Sequence, residues 1–395
     1  MEPRTASMAG EGAREAPLVS VVVNNYNYAR FLREAIDSAL AQTYVPLEVV
    51  VVDDGSTDES RDVIARYGNR ITAVLKENGG QASAFNAGFA AARGEVVIFL
   101  DADDALLPTA AQSAVDRFSP GVAKVYWPLW EIDSEGNAMG TMIPTEPLTE
   151  GDFRDRVLRL GPIACREAPT SGNAWSRSFL ERALPMPEAE YRINGDCYLS
   201  TLAPIYGGVR TLPDPHSRYR IHGANRYVLM TVGEKSRRQF NMYVNRCELL
   251  AHHFIAMGIQ VDPTIWQQGN WHYDYLQRVW TASEEIASLI PEGGRFVFMD
   301  DGSWGDGRVG TPVIEGRTAI PFLERNGGYH GRPADDETAI RELTRLRAER
   351  RPTFLVVVWP AFWWLEYYAE FAAHVRDSFP CVMQNERIVA FDLSA

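Results

Sequence analysis

Short runs of apolar, β-branched residues that alternate with helical patterns constrain the fold of this chain more than any other feature. Four such runs occur near the start: Leu18–Val23, Leu47–Val52, Ile71–Leu75 and Val96–Leu100. The intervening segments Ala29–Gln42 and Gln81–Arg93 have helical patterns. A strand that is apolar along its whole length is buried on both faces. The pattern therefore predicts a parallel sheet with helices on both sides.

Polar clusters follow three of these strands directly. They are Asn24–Asn27, Asp53–Asp58 and Asp101–Asp104. The carboxyl ends of parallel strands meet at one edge of the sheet, where open α/β sheets bind their ligands. We therefore expect the three clusters to converge on one site.

The cluster Asp101-Ala102-Asp103-Asp104 places three carboxylates in four positions. Carboxylates packed together repel one another and raise each other's pKa. A hard divalent cation removes that cost and prefers oxygen ligands, and a diphosphate would complete its coordination. The cluster therefore indicates a site for a metal and a nucleotide diphosphate. The alternative is an acidic loop in which Asp104 caps the following helix.

Three further features near the sheet edge suit a nucleotide, and each has a structural alternative. Asp53 and Asp54 can accept hydrogen bonds from a base or a ribose, or can form an Asx turn and helix cap. Tyr26 can stack on a base or pack under its loop. The turn Asn78-Gly79-Gly80-Gln81 precedes a helix N-terminus, a favourable place for phosphate, or is an ordinary turn.

Composition excludes several classes of partner. The net charge is -13 and the pI about 5.1, which argues against nucleic acid and against a basic membrane-binding surface. The longest apolar run, Phe354–Leu365, is too short for a membrane helix and contains Pro360, so no transmembrane segment is expected. Met1–Ala16 is polar and is interpreted as a disordered tail. The four cysteines form no CxxC pair, which is typical of a reduced, cytoplasmic protein.

The rest of the chain divides into further regions. Residues from about 231 to 290 are helical in pattern and rich in aromatic residues. A strand–helix–strand–helix pattern follows, over Arg295–Met299, Asp335–Arg350, Thr353–Val358 and Phe362–Phe379, and Cys381–Leu393 then forms one or two strands. We therefore predict a tail over residues 1–16, a main domain over 17–235, a helical linker over 236–292 and a smaller α/β domain over 293–395.

Six segments, in order, closely resemble the family 2 glycosyltransferases of GT-A fold. They are VSVVVNNYNYARFLREAIDSALAQTY, LEVVVVDDGSTDES, ENGGQASAFNAGFAAARGEVVIFLDADD, TSGNAWSRSFL, GDCYL and YRIHGAN, within about residues 17–230. The resemblance implies a Rossmann-like α/β nucleotide-diphospho-sugar transferase fold. It also implies an inverting enzyme that uses Mg²⁺ or Mn²⁺ and moves a sugar from a nucleotide-diphosphate donor to an acceptor hydroxyl, in a polysaccharide, a glycan or a small metabolite.

The resemblance also implies roles on the donor side. Asn24, Tyr26 and Asp54 match the nucleobase and ribose contacts, with Asp53 beside them. Asp101 faces the nucleotide, and Asp103 matches the direct metal ligand. His222 matches a histidine that closes over the metal and diphosphate, although a lone loop histidine is the alternative. Lys76 and Arg220 are candidates for assisting the leaving phosphate.

On the acceptor side, Asp196 stands at the position of the catalytic base. The family usually has Glu-Asp there, whereas this chain has Gly195-Asp196, which puts one acceptor contact in doubt. The alternative for Asp196 is a helix N-cap. Gly172 and Asn173, in the segment Ser171–Ala174, would lie against the sugar or the acceptor.

Two other functions remain as alternatives. A nucleotidyltransferase also pairs a parallel sheet with acidic metal ligands, but it usually has a Gly-rich basic loop after the first strand, unlike Asn24–Asn27. A catalytically inactive sugar-nucleotide-binding module should have lost the acidic cluster or Asp196, and both are present. A dehydrogenase is excluded because no GxGxxG follows the first strand.

The C-terminal α/β region has its own polar and aromatic strand ends. Asp300–Gly307 follows one strand and Trp359–Trp364 follows another. They suggest an acceptor-binding platform, since aromatic rings stack on sugars. The alternatives are intramolecular packing and a homodimer interface through this region.

Overall fold

The computed structural model describes residues 16–164, 167–223, 230–304, 313–325, 328–329 and 331–394. The predicted tail, apart from Ala16, lies outside the described residues. Contacts divide the chain into two compact units, and the boundary along the sequence lies between His222 and Gly223. The domain boundaries expected near residues 235 and 292 stay a prediction.

The first unit alternates strands and helices along the chain. Its strands are β1 (Val19–Asn25), β2 (Leu47–Asp54), β3 (Thr72–Lys76), β4 (Val96–Asp101), β5 (Ala105–Leu106), β6 (Val122–Tyr126), β7 (Leu129–Ile132), β8 (Ala138–Ile143), β9 (Asn173–Ser176), β10 (Gly208–Thr211) and β11 (Ser217–Arg220). Its helices are α1 (Ala29–Leu40), α2 (Ser60–Ala65), α3 (Gln81–Ala91), α4 (Ala110–Arg117), α5 (Arg154–Leu160), α6 (Arg177–Ala183) and α7 (Gly195–Tyr206).

The main sheet of this unit has the order β10-β6-β9-β4-β1-β2-β3. The pairs β1–β2, β1–β4 and β2–β3 are all parallel, as the apolar runs predict. The predicted parallel sheet is confirmed for these four strands, and beyond them β9 runs antiparallel to both β4 and β6. The chain returns through a 3-10 turn at Thr170–Gly172, so β9 begins at the edge where β4 ends. A smaller sheet has the order β5-β11-β7-β8.

Helices cover both faces of the main sheet. One face of α1 is buried in the core through Phe31, Leu32, Ala35, Ile36 and Ala39. Helix α3 lies on the sheet through small residues, and a Cβ at Gly88 would meet the side chain of Val22. This close approach brings the start of α3 to the carboxyl edge of β1 and β2.

The second unit is a smaller α/β unit, as predicted. Its helices are α8 (Val232–Ala256), α9 (Trp271–Leu289), α10 (Asp336–Arg350), α11 (Trp364–Tyr367) and α12 (Ala369–Ser378). Its strands are β12 (Arg295–Met299), β13 (Val313–Ile314), β14 (Arg317–Pro321), β15 (Glu324–Arg325), β16 (Gly328–Tyr329), β17 (Phe354–Val358), β18 (Cys381–Gln384) and β19 (Ile388–Asp392). The larger of its sheets has the order β13-β14-β12-β17-β19-β18.

The single helix predicted over Phe362–Phe379 is wrong. Tyr368 has φ -94° and ψ 72°, which is not helical, and it separates α11 from α12. Its buried hydroxyl donates to the carbonyl of Pro333 at 2.8 Å, so a tertiary hydrogen bond accompanies the break. In the part of the chain that the structure describes, no helix combines the length and apolarity needed to cross a bilayer.

Candidate active site at the carboxyl edge of the first sheet

The strand register brings the three polar clusters together. Asn24 at the end of β1 pairs with Asp101 at the end of β4, and Asn25 pairs with Asp53 at the end of β2. The amide of Asn24 donates to the carbonyl of Leu100 at 3.3 Å, and its Oδ1 is buried without a hydrogen-bond partner. An acceptor that is buried and unsatisfied at the sheet edge is suited to an N–H or O–H of a ligand.

Asp104 is held inside the protein and does not cap a helix. Ser171 Oγ donates to Asp104 Oδ2 at 2.7 Å, and the backbone N–H of Arg220 donates to its Oδ1 at 3.0 Å. Helix α4 begins only at Ala110, and Thr109 occupies its N-cap position. The alternative of a helix-capping loop is therefore wrong for Asp104, which instead ties β4 to β11 and to the turn before β9.

The cluster concentrates negative charge. Burial, then the charges of Asp103 and Asp196, raise the pKa of Asp101 to about 7. Burial, then Asp103 and Asp101, also raise the pKa of Asp104 well above its usual range. These shifts show that the carboxylates oppose one another's ionisation, and that a cation bound here would relieve them.

His222 faces this charge from the end of β11. Its Nε2 lies 3.0 Å from Asp103 Oδ2, and the side chain is buried against Tyr28 and Phe31 at ring-centroid distances of 5.5 and 5.0 Å. Ligands at adjacent corners of an octahedron with bonds of about 2.1 Å are about 3.0 Å apart. The separation of His222 Nε2 and Asp103 Oδ2 is therefore one that two ligands of a single divalent cation would have. Among the described residues no group of three or more His, Cys, Asp or Glu side chains is placed to hold a metal alone.

Arg220 and Lys76 both bond to partners within the protein. The Arg220 guanidinium is 2% exposed, donates to the carbonyls of Asp103 and Asp133, and contacts the carboxylate of Glu34. Lys76 Nζ donates to Asp54 Oδ1 at 2.7 Å. Both cations therefore stabilise the walls of the site, because their charges are used by partners within it.

Asp53 is buried and fully engaged. It accepts from Asn25 Nδ2 at 3.0 Å, from the backbone N–H of Ser56 at 3.1 Å and from Arg61 Nε at 2.9 Å. Burial raises the pKa of Asp53, but these hydrogen bonds outweigh it and hold the pKa below its ordinary value. Asp53 therefore closes the turn after β2, which is the structural alternative that its sequence position left open.

Asp54 organises the turn before α3. Its Oδ1 accepts from Lys76 Nζ and from the N–H of Gly79, and its Oδ2 accepts from Asn78 Nδ2 and from the N–H of Gly80. The four distances are 2.7, 2.9, 3.2 and 2.7 Å. We call Lys76, Asn78, Gly79 and Gly80 around Asp54 the Asp54 cradle. A nucleotide contact by Asp54 or Asn78 stays a prediction.

Gln81 connects the start of α3 to the start of α7. Its Oε1 accepts from the N–H groups of Asn194 and Gly195, both at 3.0 Å, and its Nε2 lies 3.4 Å from Thr170 Oγ1. Its own backbone N–H donates to the carbonyl of Arg192 at 2.8 Å. Gln81 therefore positions the helix that carries Asp196, a role that its place at a helix N-terminus does not reveal.

Asp196 lies in the first turn of α7, where Asn194 occupies the N-cap position. The alternative that Asp196 is the N-cap residue is therefore wrong. Burial, then the charge of Glu167, raise the pKa of Asp196. Gln81 joins the start of α7 to Thr170, and the next residue, Ser171, bonds to Asp101 and Asp104, so Asp196 and the acidic cluster belong to one site. In agreement, the charge of Asp196 contributes to the raised pKa of Asp101.

The remaining predicted contacts divide by exposure. Tyr26 is 46% exposed beside the site, so its ring is available for stacking. Asn173 is fully buried, its amide donates to the carbonyl of Pro169 at 2.6 Å, and its Oδ1 has no partner. A Cβ at Gly172 would lie 2.7 Å from the carbonyl oxygen of Trp127, so close backbone packing requires glycine there.

Sequence reasoning missed Tyr28 and Phe31 as walls of the site. Phe31 in α1 and Tyr28, the residue just before this helix, pack on the imidazole of His222. Burial, then the charge of Asp103, raise the pKa of Tyr28, which keeps its hydroxyl protonated beside the carboxylates. Their spacing of three residues at a helix start was the available signal.

In the second unit, the aromatic residues after β17 have covered rings. Arg278 lies over Trp359 at 4.8 Å, and Arg332 lies over Trp363 at 4.6 Å while pairing with Asp301. This arrangement supports intramolecular packing more than a platform for sugar rings. Gly305, Asp306 and Gly307 of the predicted polar loop lie outside the described residues.

Comparisons with known proteins agree with this geometry. Residues 20–162 match the family model described as Glycosyl transferase family 2. An uncharacterized glycosyltransferase of Nostoc sp. is 41% identical over 215 residues, which cover 53% of this chain and 66% of that protein. One from Rickettsia prowazekii is 44% identical over 101 residues, covering 26% and 32%. The chain thus spans less than two thirds of these curated relatives.

Two further similarities are of limited extent. The hyaluronan synthase of Pasteurella multocida is 45% identical over 105 residues, covering 26% of this chain and 11% of that protein. The crystal structure of S. aureus TarS 1-349 has a TM-score of 0.48 at 18% identity, covering 68% of this chain and 75% of that chain.

An α/β sheet of this order, with an acidic cluster where β4 ends, is of the GT-A type. Within this first unit, residues 20–162 match the glycosyltransferase family 2 model, and the Nostoc relative is similar over 53% of the chain. The predicted family and fold are confirmed.

Proposed function

We propose that this protein is an inverting, metal-dependent glycosyltransferase that moves a sugar from a nucleotide-diphosphate donor to an acceptor hydroxyl. One observation carries the proposal: the Asp101–Asp104 cluster, faced by His222 at 3.0 Å, shares one site with the carboxylate of Asp196. A site of this kind combines a place for a cation and a diphosphate with a separate proton acceptor.

The donor side is supported by the residues that remain available to a ligand. Asn24 offers an unsatisfied buried Oδ1, and Tyr26 offers an exposed ring. Asp103 and His222 would hold Mg²⁺ or Mn²⁺, with Asp101 next to them. The cation would neutralise charge on the leaving diphosphate.

Asp196 is the proposed base. As the acceptor oxygen bonds to the anomeric carbon, the bond from that carbon to the diphosphate oxygen breaks on the opposite face, and the hydroxyl proton passes to the Asp196 carboxylate. Attack opposite the leaving group inverts the anomeric centre. A carboxylate whose pKa is raised is a stronger base than an ordinary aspartate, and general-base catalysis contributes about 10²–10⁴-fold.

The acceptor class is supported by the named relatives. Two that match the first unit are called chondroitin synthase and hyaluronan synthase, both from Pasteurella multocida. We propose an acceptor in polysaccharide or glycan assembly on this basis. An acceptor site or a homodimer interface in the second unit, and a cytoplasmic location, stay predictions.

The test begins with the donor. UDP-, GDP- and dTDP-sugars are added to the full chain with Mn²⁺, and the correct donor should raise the melting temperature by mass action. Transfer is then assayed with that donor, with and without EDTA. If no donor shifts the melting temperature, the proposal fails, and if EDTA leaves transfer unchanged, the metal role fails.

The base is tested with Asp196→Asn, which keeps the shape of the side chain. We expect kcat to fall by about 10²–10⁴-fold while the donor-induced rise in melting temperature remains. Glu190→Gln, an exposed residue in the loop before α7, is the matched control and should behave like the wild type. Transfer near the wild-type rate by Asp196→Asn would exclude Asp196 as the base.

A further inference from the structure

A buried lysine lies between the main sheet and α7. Lys124, in the middle of β6, is 3% exposed, and its Nζ donates to Ser200 Oγ at 3.0 Å. The ammonium also lies 4.6 Å from the ring centre of Tyr126 and 5.0 Å from that of Trp175. The proposed reaction as described above does not use this cation.

Burying an ammonium is costly, which makes its presence informative. Removal of a charge from water is costly even after relaxation, and aromatic faces return only part of that cost. A methionine would fill the same space between the rings without that cost. The position therefore calls for an explanation beyond packing.

Ser200 links the lysine to the proposed base. It lies four residues after Asp196 in α7, so the two side chains share one face of the helix, one turn apart. The hydrogen bond to Ser200 thus holds the ammonium on the side of α7 that carries Asp196. In agreement, the charge of Lys124 lowers the pKa of Asp196, whereas burial and the charge of Glu167 raise it.

Among the described residues, three other groups face Asp196, and they are negative or neutral. Glu167 comes from the segment before β9, Asp101 from the end of β4 and Tyr219 from β11. Among the groups that act on Asp196 here, Lys124 supplies the positive charge.

We propose that Lys124 is a positioning residue that keeps the Asp196 carboxylate in its proton-accepting form, with Ser200 holding the ammonium in place. The proposal rests on the proposed function, in which Asp196 accepts the proton of the acceptor hydroxyl. It adds a residue from the sheet interior to the machinery of transfer.

The test is the pH dependence of kcat for Lys124→Met and Lys124→Gln. Two unit charges within about 10 Å of each other, at an effective dielectric constant of about 20, change a proton affinity by about tenfold or more. Both neutral variants should therefore move the acid limb of kcat up by about one pH unit, with recovery at higher pH. Lys124→Gln retains a donor for Ser200 and serves if Lys124→Met folds poorly.

Arg182→Met is the matched control. Arg182 stacks on Tyr206 at the far end of α7, at 5.0 Å, so this change removes a cation from an aromatic ring without approaching Asp196. Its pH profile should be that of the wild type. A loss of kcat that is uniform across pH in the Lys124 variants would mean a purely structural role and would overturn the inference.

A second readout does not depend on turnover. The Asp196 carboxyl carbon is titrated by NMR in ¹³C-aspartate-labelled full chain, with Asp196→Asn for assignment. The Lys124 variants should titrate at higher pH than the wild type. An unchanged titration overturns this inference even if Asp196→Asn abolishes transfer, in which case the proposed function stands. If no donor supports transfer, the proposed function fails and the titration still decides whether Lys124 controls Asp196.

Discussion

Gly80 is the position where one added carbon should do the most damage to the proposed site. Its backbone has φ 90° and ψ -179°, a region that is essentially restricted to glycine. Its N–H donates to Asp54 Oδ2 at 2.7 Å. A Cβ there would lie 2.5 Å from the carbonyl oxygen of Arg192, which also accepts from the N–H of Gln81.

The magnitude follows from two contributions. Backbone strain of this kind costs about 1–3 kcal/mol, and relieving the contact with a backbone oxygen costs about 1–3 kcal/mol more. We therefore expect Gly80→Ala to destabilise the first unit by about 2–6 kcal/mol. The loop that must move leads into α7, and a displacement of about 1 Å can cost about 10²-fold in rate, so kcat should fall strongly as well.

Gly68→Ala separates strain from contact. Gly68 has φ 55° but no atom within 4 Å of an added Cβ. Its left-handed conformation costs about 1–2 kcal/mol, partly offset by about 0.4–1 kcal/mol from a stiffer unfolded chain. Hydrogen exchange of first-unit peptides in the full chain measures both variants. If Gly80→Ala is no less stable than Gly68→Ala, the contact with Arg192 is not a determinant of this site.

Three further predictions follow from the same edge of the sheet. Gln81→Ala should lower kcat and destabilise the protein by about 0.5–2 kcal/mol, because the N–H groups of Asn194 and Gly195 lose their acceptor. Gln81→Glu keeps an acceptor and should retain most of the stability, so equal melting curves for the two variants would contradict this prediction. The lowered pKa of Asp53 contributes stability above its unfolded pKa of about 3.9 that is lost as pH falls through the lower folded value. The melting temperature of Arg61→Met should therefore lie furthest below the wild type at neutral pH and approach it near pH 2, and a constant difference would refute the linkage. Because burial raises the pKa of Asp196, the midpoint of the acid limb of kcat should lie above the ordinary value for aspartate. A midpoint at or below the ordinary value excludes Asp196 as its origin.

Strand positions were predictable because apolar runs in buried parallel strands leave few alternatives. Val19–Asn25 and Val96–Asp101 match the predicted runs closely, and their register brings Asn24 beside Asp101. The reversal of β9 was not predictable in the same way. Asn173–Ser176 is only four residues long, and its direction depends on the path of the chain through β5 to β8.

Side-chain roles also differed in whether the sequence could predict them. The acidic cluster could be placed from its position after a strand, since strand ends converge, and His222 from the family resemblance. The partners of Asp54, Gln81 and Arg220 could not, because each bonds to groups distant in sequence. The same holds for Lys124, whose burial depends on Trp175 and Ser200.

The Asp54 cradle has a consequence for the energetics of association. Its hydrogen bonds from Lys76, Asn78, Gly79 and Gly80 all come from the chain itself. The turn has therefore already lost its conformational entropy at folding, and a donor that docks beside it orders little additional chain. Association at this edge should thus be fast and weakly dependent on temperature, as expected of a rigid, preformed surface rather than of a loop that folds around its ligand.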